Sequence, residues 1–420
     1  MEAKVTAKNL NSITIELTVP LSKSMLKTEN DIQKVLNIAG SKATAHALSC
    51  HDTNGDPIIK GKTKYSSKGK VSKKYQTPYG ETELERHVYQ PSSGGSTFCP
   101  LDDSARIIVG STPKFSKQVS SKYSESGSKR VQVDLEENHG RYISRSYIQD
   151  ISEAVGQGLI KKLENWNYTI PIEQALVSSI GISLDGTCML MAGDGYREAM
   201  VGTLSLYDKE GERLYTQYTA VAPEYGKETF LGTFEREIEK FKLHYPKAER
   251  IGIADGAKEN WPFLEKHTSH QVLDFYHATE YITLASESTF RFKDERVEWA
   301  GKMSHKLKHE KHGAKEILEA MRKGLKKRLS EKKKKDLERA ITYFTNHIHQ
   351  MKYPEYRKNK YPIGSGVVEA SCKVIIKQRL CNSGMKWKVS GANSVLTLRC
   401  IYYSDGKWSQ TWDKINQYGL

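Results

Sequence analysis

The segment Ser179-Ile-Gly-Ile-Ser-Leu-Asp-Gly-Thr187 sets an apolar run against a carboxylate. Ile180, Ile182 and Leu184 alternate with Gly181, Ser183 and Asp185, the period of a strand with one apolar face. Such a strand delivers Asp185 to its edge and turns on Gly186. Alone, that is an ordinary strand end. The pattern recurs at Arg250-Ile-Gly-Ile-Ala254, which runs into Asp255-Gly256. Asp-Gly is a favoured turn dipeptide, and Asp255 suits the cap of a following helix.

Between these strands the chain reads as two further strands, 200–206 and 213–221, and an amphipathic helix over 227–243 with Phe230, Phe234, Ile238 and Phe241 as its inward stripe. A last short strand at Gln271-Val-Leu-Asp274 leads into His277 and another helix. Three antiparallel-type strands, a crossover helix and then alternating strands and helices is the order of an RNase H-like α/β domain. In that order the first and fourth strands are neighbours, so Asp185 and Asp255 meet. Their repulsion is costly unless a cation sits between them, and oxygen ligands suit Mg²⁺ or Mn²⁺. The third acid is expected from Ile363-Gly-Ser-Gly-Val-Val-Glu-Ala-Ser-Cys-Lys373, where a Gly-Ser-Gly turn opens a helix with Glu369 in its first turn. By itself Glu369 also reads as a dipole-complementing acid paired with Lys373.

Asp185, Asp255 and Glu369, with Asp274-Phe-Tyr-His277 between the last two, resemble the DDE transposases of bacterial insertion sequences, in particular the ISKra-type group related to Mutator-like and hAT transposases. The resemblance covers most of the chain and is weakest before about residue 75. It implies two divalent ions, Mg²⁺ or Mn²⁺, about 3.5–4 Å apart. Asp185 would bridge both, Asp255 would complete one shell and Glu369 the other. His277, with Asp274, would orient the scissile strand or brace the fold beside the site.

Charge points to the same kind of partner. The 420 residues carry a formal net charge of +15, and a polyanion binding such a surface releases counterions. Residues 57–80 hold seven lysines and no acid, which reads as a flexible basic segment or hairpin loop. Residues 301–360 hold 19 Lys/Arg against 7 Asp/Glu in an almost Gly-free helical region inserted before Glu369, placed to clamp phosphates. Trp299 in that region could stack on an unpaired base, although packing between helices is the simpler reading. Lys373, Lys377 and Arg379 follow Glu369 in a stretch, Ala370–Ser404, that lacks acids altogether.

Helical patterns from 113 to 158, with a stop at Asn138-His-Gly140 and a Ser144 cap, give the layout of a helix-turn-helix with Arg145, Ser146 and Gln149 at the start of its reading helix. A plain three-helix bundle has the same layout. Six scattered cysteines imply neither a zinc ribbon nor a disulfide framework. No apolar run is long enough to span a bilayer, and Met1-Glu-Ala-Lys-Val has no signal-peptide core, so a protein inside the cell is expected, and the resemblance implies a bacterial cytoplasmic one associated with the nucleoid.

The expected organisation is an α/β protein with an N-terminal β-containing region and basic loop (1–110) and a helix-turn-helix domain with linker (111–170). An RNase H-like catalytic domain follows in two parts (171–285 and 361–420, the second with the tail), split by a basic helical insertion (286–360). The expected function is a DNA transposase that binds double-stranded terminal repeats, cleaves phosphodiesters and transfers 3′-OH ends to target DNA, as a homodimer on paired ends. An RNase H-like nuclease without strand transfer, and a domesticated DNA-binding regulator, are the alternatives.

Overall fold

A computed structural model describes residues 2–420 of a mixed α/β protein. The chain forms two compact units: one runs through Thr169 and takes back Ser390–Tyr402 and Gly406–Leu420, and the other comprises Ile170–Val389 and Tyr403–Asp405.

The first unit opens with an antiparallel hairpin, β1 (Glu2–Lys8) and β2 (Ile13–Thr18), then a long helix, α1 (Met25–Ser49), capped by the Ser24 side chain accepting from Lys27 N. A three-stranded antiparallel sheet follows, β3 (Ile58–Lys60), β4 (Thr63–Thr77) and β5 (Gly80–Pro91). The lysine-rich 57–80 segment is therefore not a flexible loop: most of it is the central strand of this sheet. Five of its lysines lie on that strand, whose register shifts between Ser67 and Lys70, and Lys74 pairs with Glu81 at 2.8 Å, on the neighbouring strand. Helices α2 (Pro100–Ser104), α3 (Pro113–Glu125), α4 (Ser128–His139) and α5 (Arg145–Lys162) complete this stretch. Gly140 closes α4 in the left-handed conformation, φ 60°, which only glycine adopts without strain. Ser144 caps α5 by accepting from Tyr147 N at 3.2 Å. The regions expected at 1–110 and 111–170 belong, up to Thr169, to this one unit. Gln76 and Thr77 of β4 exchange hydrogen bonds with Gly110, Thr112 and Arg141.

The second unit is built on a five-stranded sheet. Strands β6 (Ser179–Met191), β7 (Gly195–Tyr207) and β8 (Arg213–Val221) run antiparallel, and helix α6 (Glu228–His244) leads to β9 (Glu249–Ala254). Helix α7 (Trp261–His267) then leads to β10 (His270–Leu273), and the spatial order is β10-β9-β6-β7-β8. β9 lies parallel to β6, with Ser183 opposite Ile253, as the strand order demanded. Strand β6 does not turn at Gly186, as its Asp-Gly dipeptide suggested. It continues to Met191, with Gly186 opposite Met200, because the missing Cβ leaves room for the Glu198 side chain.

Beyond β10 the chain is helical: α8 (Phe275–Thr289), α9 (Lys293–His309), α10 (Gly313–Gly324), α11 (Glu331–His347) and α12 (Tyr353–Lys358). Helix α13 (Gly366–Ser371), a π-helical turn over Cys372–Lys377 and the short α14 (Gln378–Leu380) follow. The expected second part of the catalytic domain, 361–420, divides at residue 389. Helices α15 (Val389–Tyr403) and α16 (Lys407–Tyr418) pack in the first unit, except for the residues at their junction. Helix α15 is buried on nearly every side, and its Ser394 lies where a Cβ on Gly156 of α5 would be. That close approach makes it a core helix of the first unit.

The second unit's core places the α6 stripe over the sheet. Phe234 stacks between Phe230 and Phe263, at 5.6 and 5.9 Å between ring centroids, above Gly202 of β7. Truncating a fully buried phenylalanine removes that packing and leaves a cavity. Phe234→Ala is expected to destabilise this unit by about 3–5 kcal/mol, seen as a lower denaturant midpoint in chemical unfolding.

Candidate active site

Asp185, Asp255 and Glu369 line one cavity of about 370 Å³, together with Ser365, His277, Cys372 and Lys377. Each acid arrives on a different element. Asp185 lies within β6, Asp255 follows the last residue of β9, and Glu369 sits in the first turn of α13. Because Ser183 faces Ile253 across a parallel pair, the same register two residues on sets Asp185 beside Asp255.

Asp185 is the most enclosed of the three. Its Oδ1 accepts from Gly186 N at 2.7 Å, and its Oδ2 accepts from the Cys372 thiol at 3.3 Å. Burial pushes the Asp185 carboxyl above the usual carboxylate range, and the charges of Asp255 and Glu369 add to that push, outweighing the two hydrogen bonds. The Cys372 thiol is pushed well up in turn, by burial first and by the Asp185 charge second, which keeps it a donor. No lysine or arginine forms an ion pair with Asp185 or Asp255 among the described residues.

Asp255 is held by its loop. Its Oδ1 accepts from Ala257 N at 3.0 Å, and its carbonyl accepts from the Tyr343 hydroxyl at 2.8 Å. Gly256, at φ 98°, lies against the Tyr343 ring, where a side chain would clash. Tyr343 stacks face to face on Tyr281, with ring centroids 3.7 Å apart. Helix α11 of the basic region thus fixes the second acid's loop.

Asp274 is fully buried and joins three segments. Its backbone N donates to Ala254 O at 2.8 Å, and its side chain caps α8 by accepting from His277 N at 2.7 Å. Its Oδ2 also accepts from Ser365 N, and the Ser365 hydroxyl donates to Glu369 Oε1 at 2.5 Å. His277 Nδ1 lies 3.3 Å from Asp274 Oδ1 and 3.7 Å from Glu369 Oε1. Ligand atoms of Asp274, His277 and Glu369 all fall within 4.8 Å of one another, a group that could hold a metal ion. Burial pushes Asp274 upward, but the hydrogen bonds from His277 and Ser365 win and leave it below the usual range. The hydrogen bond to Asp274 raises the His277 imidazole to about 9.

The basic and aromatic candidates divide. Lys377 lines the cavity and Lys373 is exposed on the same helical segment. Arg379, expected on the DNA side, is instead buried, its guanidinium 5.3 Å from the Trp387 ring centroid. Trp299 packs against the core and Phe290, 5.8 Å away, and does not line the cavity; its apolar ring is worth more between helices than in water. Arg145, Ser146 and Gln149 are all exposed in the first turns of α5. Three residues at the site carried no assigned role in the sequence. Cys372 falls three residues after Glu369, on the same helical face, and Ser365 lies four before it. Those spacings are the signals available for them, whereas nothing local marks Tyr343.

The His277–Asp274 contact has a titration signature. With a folded value above 6.5, charged His277 contributes stability that is fully present below pH 6.5 and is lost as pH rises through about 9. In Asp274→Asn the ring should titrate closer to 6.5, measured from the imidazole proton shifts by NMR; an unmoved midpoint would remove Asp274 as the cause.

No protein-family model matches the chain, and no curated protein matches it.

Proposed function

We propose that the protein is a DNA transposase whose second unit is an RNase H-like catalytic domain holding two divalent cations, Mg²⁺ or Mn²⁺. The observation that supports this reading is that Asp185, Asp255 and Glu369 line one cavity, although each comes from a separate part of the chain. The strand order, with β6 central and β9 parallel beside it, supports the fold assignment.

The donor set fits hard cations. It is three carboxylates, and one of them, Asp185, is largely enclosed, raised first by burial and then by the charges of the others, with no lysine or arginine paired to it among the described residues. Asp185 and Asp255, on adjacent strands, and Glu369 would hold the ions. Once bound, such ions supply Lewis-acid activation of the attacking oxygen and stabilisation of the leaving one. The rest falls to the chain's own groups. Lys377 faces the cavity and offsets phosphate charge. Ser365 holds the Glu369 carboxylate by its hydroxyl, and Asp274 holds the Ser365 backbone. The His277 imidazolium, 3.7 Å from Glu369 Oε1, is placed to meet a phosphate oxygen at the cavity wall. Together these groups orient a scissile phosphate for in-line attack by water, then by a DNA 3′-OH.

The reaction is tested with duplexes carrying the sequences that flank the gene, in Mg²⁺ or Mn²⁺. The expected products are nicks at the ends and joined strand-transfer species. Asp185→Asn should bind these duplexes as the parent does while cleavage falls on the order of 10³-fold or more. Retained cleavage would sink the assignment of Asp185. Nicks without joining would indicate a nuclease, and binding alone a regulator.

In the first unit, α4, the Gly140 turn and α5 are read as the helix-turn-helix, with α5 entering the major groove. Truncating a side chain that hydrogen-bonds a base edge should cost about 1–3 kcal/mol of discrimination. Arg145→Ala and Gln149→Ala should therefore narrow the gap between end-sequence and random duplex in a mobility-shift competition, leaving random-duplex affinity nearly unchanged for Gln149→Ala.

A further inference from the structure

Tyr276 is a large aromatic side chain that the fold leaves in water. It is 69% exposed in the first turn of α8, between the buried Phe275 and His277, which lines the cavity. Exposure of one aromatic means little by itself, but two contacts fix where this ring lies. The Phe275 ring meets it edge to face, with centroids 5.9 Å apart and planes at 75°. Gly364 lies against it as well: a Cβ there would be 3.4 Å from the Tyr276 ring and 3.6 Å from Asp274 Oδ2. Residue 364 directly precedes Ser365, which lines the cavity and holds Glu369. Tyr276 therefore stands on the rim of the cavity, braced by two neighbours. A cation is close by: Lys308 Nζ of α9 lies 5.4 Å from the Phe275 ring centroid and makes no ion pair among the described residues. Tyr225 is more exposed, at 82%, but the Arg197 guanidinium already covers its ring, 4.0 Å from the centroid.

We infer that Tyr276 is a stacking platform for one unpaired nucleobase, the base beside the phosphate held in the cavity, with Lys308 meeting a neighbouring phosphate. This rests on reading the cavity as a phosphodiester site. The acids sit in the cavity wall, so a strand must bend inward to bring a phosphate to them, and the base on that nucleotide loses a neighbour in its stack. Unstacking is costly, and an aromatic ring at the mouth restores the lost contact. Every base has a π face, so such a platform sets the depth of the strand without reading its sequence. Tyrosine suits the place, because only two side-chain torsions must be fixed and its contacts with Phe275 and Gly364 already restrict them. Lys308 belongs to the basic helical region, so the platform lies where that region's charge comes nearest to the turn that presents Glu369.

The test measures binding of the full chain to a short oligothymidine without divalent metal, so that no cleavage is needed. Tyr276→Ala should weaken binding about 5-fold or more, the loss of one base stack, and Tyr276→Trp should keep the parent's affinity. On an abasic strand of the same length, parent and Tyr276→Ala should bind alike, because only contacts to sugar and phosphate remain. The side chain is largely exposed, so Tyr276→Ala should keep the parent's circular dichroism spectrum and melting curve. Iodouracil in place of thymine should photo-crosslink to the peptide that carries Tyr276. A parent that does not bind the oligothymidine, equal affinity of parent and Tyr276→Ala for it, an equal loss on the abasic strand, or crosslinks that fall only elsewhere would each overturn the platform. Failure of the catalytic reading looks different: a parent that crosslinks through Tyr276 yet never cuts DNA in Mg²⁺ loses the reaction and keeps the platform.

Discussion

The second unit depends on one pairing, that of β6 with β9. These strands are separated in sequence by two antiparallel strands and a helix, yet they are hydrogen-bonded neighbours running the same way. A parallel pair requires a crossover, and α6 supplies it with Phe230, Phe234, Ile238 and Phe241 packed down on the sheet. The pairing determines the electrostatics. With the two strands running the same way, Asp185 within β6 lies beside Asp255 just past the end of β9, and the burial that stabilises the sheet raises the cost of charging Asp185. The site is a consequence of topology before it is one of loop chemistry.

Around that edge, two ties stiffen what would otherwise be mobile turns. Asp274 is one: a single buried carboxylate caps α8, bonds the Ser365 backbone and contacts His277, so the turn that presents Glu369 is fixed to the end of the sheet. Removing it would strand buried donors, the costly side of hydrogen-bond energetics. Tyr343 is the other, and it reaches the backbone of Asp255 from α11. Both act through backbone groups, which leaves the carboxylates of Asp255 and Glu369 largely available to the cavity.

Much of this could be read from the sequence where a local signal and a global order agreed. Alternation identified β6 and β9, the aromatic stripe identified α6, and Gly140 and Ser144 marked the break between α4 and α5. Strand order set Asp185 beside Asp255, and Glu369 came from the Gly-Ser-Gly turn that opens a later helix. The failures were of two kinds. Asp185-Gly186 looked like a turn because Asp-Gly favours turns in isolation; the strand continues because a cross-strand glutamate fills the space beside Gly186. The lysines of 57–80 looked like a loop because charge hides strand alternation, and β4 is held instead by neighbours on both sides. Arg379, the assignment of α15 and α16 to the first unit, and Tyr343 lay beyond reach for a different reason. Each depends on packing between residues far apart in the chain, such as Gly156 with Ser394, and no period or dipeptide encodes that.

The basic helical region gains meaning from the same geometry. Its surplus of positive charge opposes compaction, and only a few of those charges are offset nearby. Helix α11 nevertheless forms, because Leu337, Ala340 and Phe344 bury one face and Ser330 caps its start. The run Lys332–Lys335 occupies the first turns of that helix, and Tyr343 stands two turns further on, bonded to Asp255. A helix is stiff over this length, so a polyanion drawn to the lysines bears on the same rod that holds the second acid's loop. If the proposed reaction holds, phosphate binding on α11 and carboxylate placement at the cavity would be carried by one rigid element, a physical reason to keep so costly a charge cluster between Asp255 and Glu369.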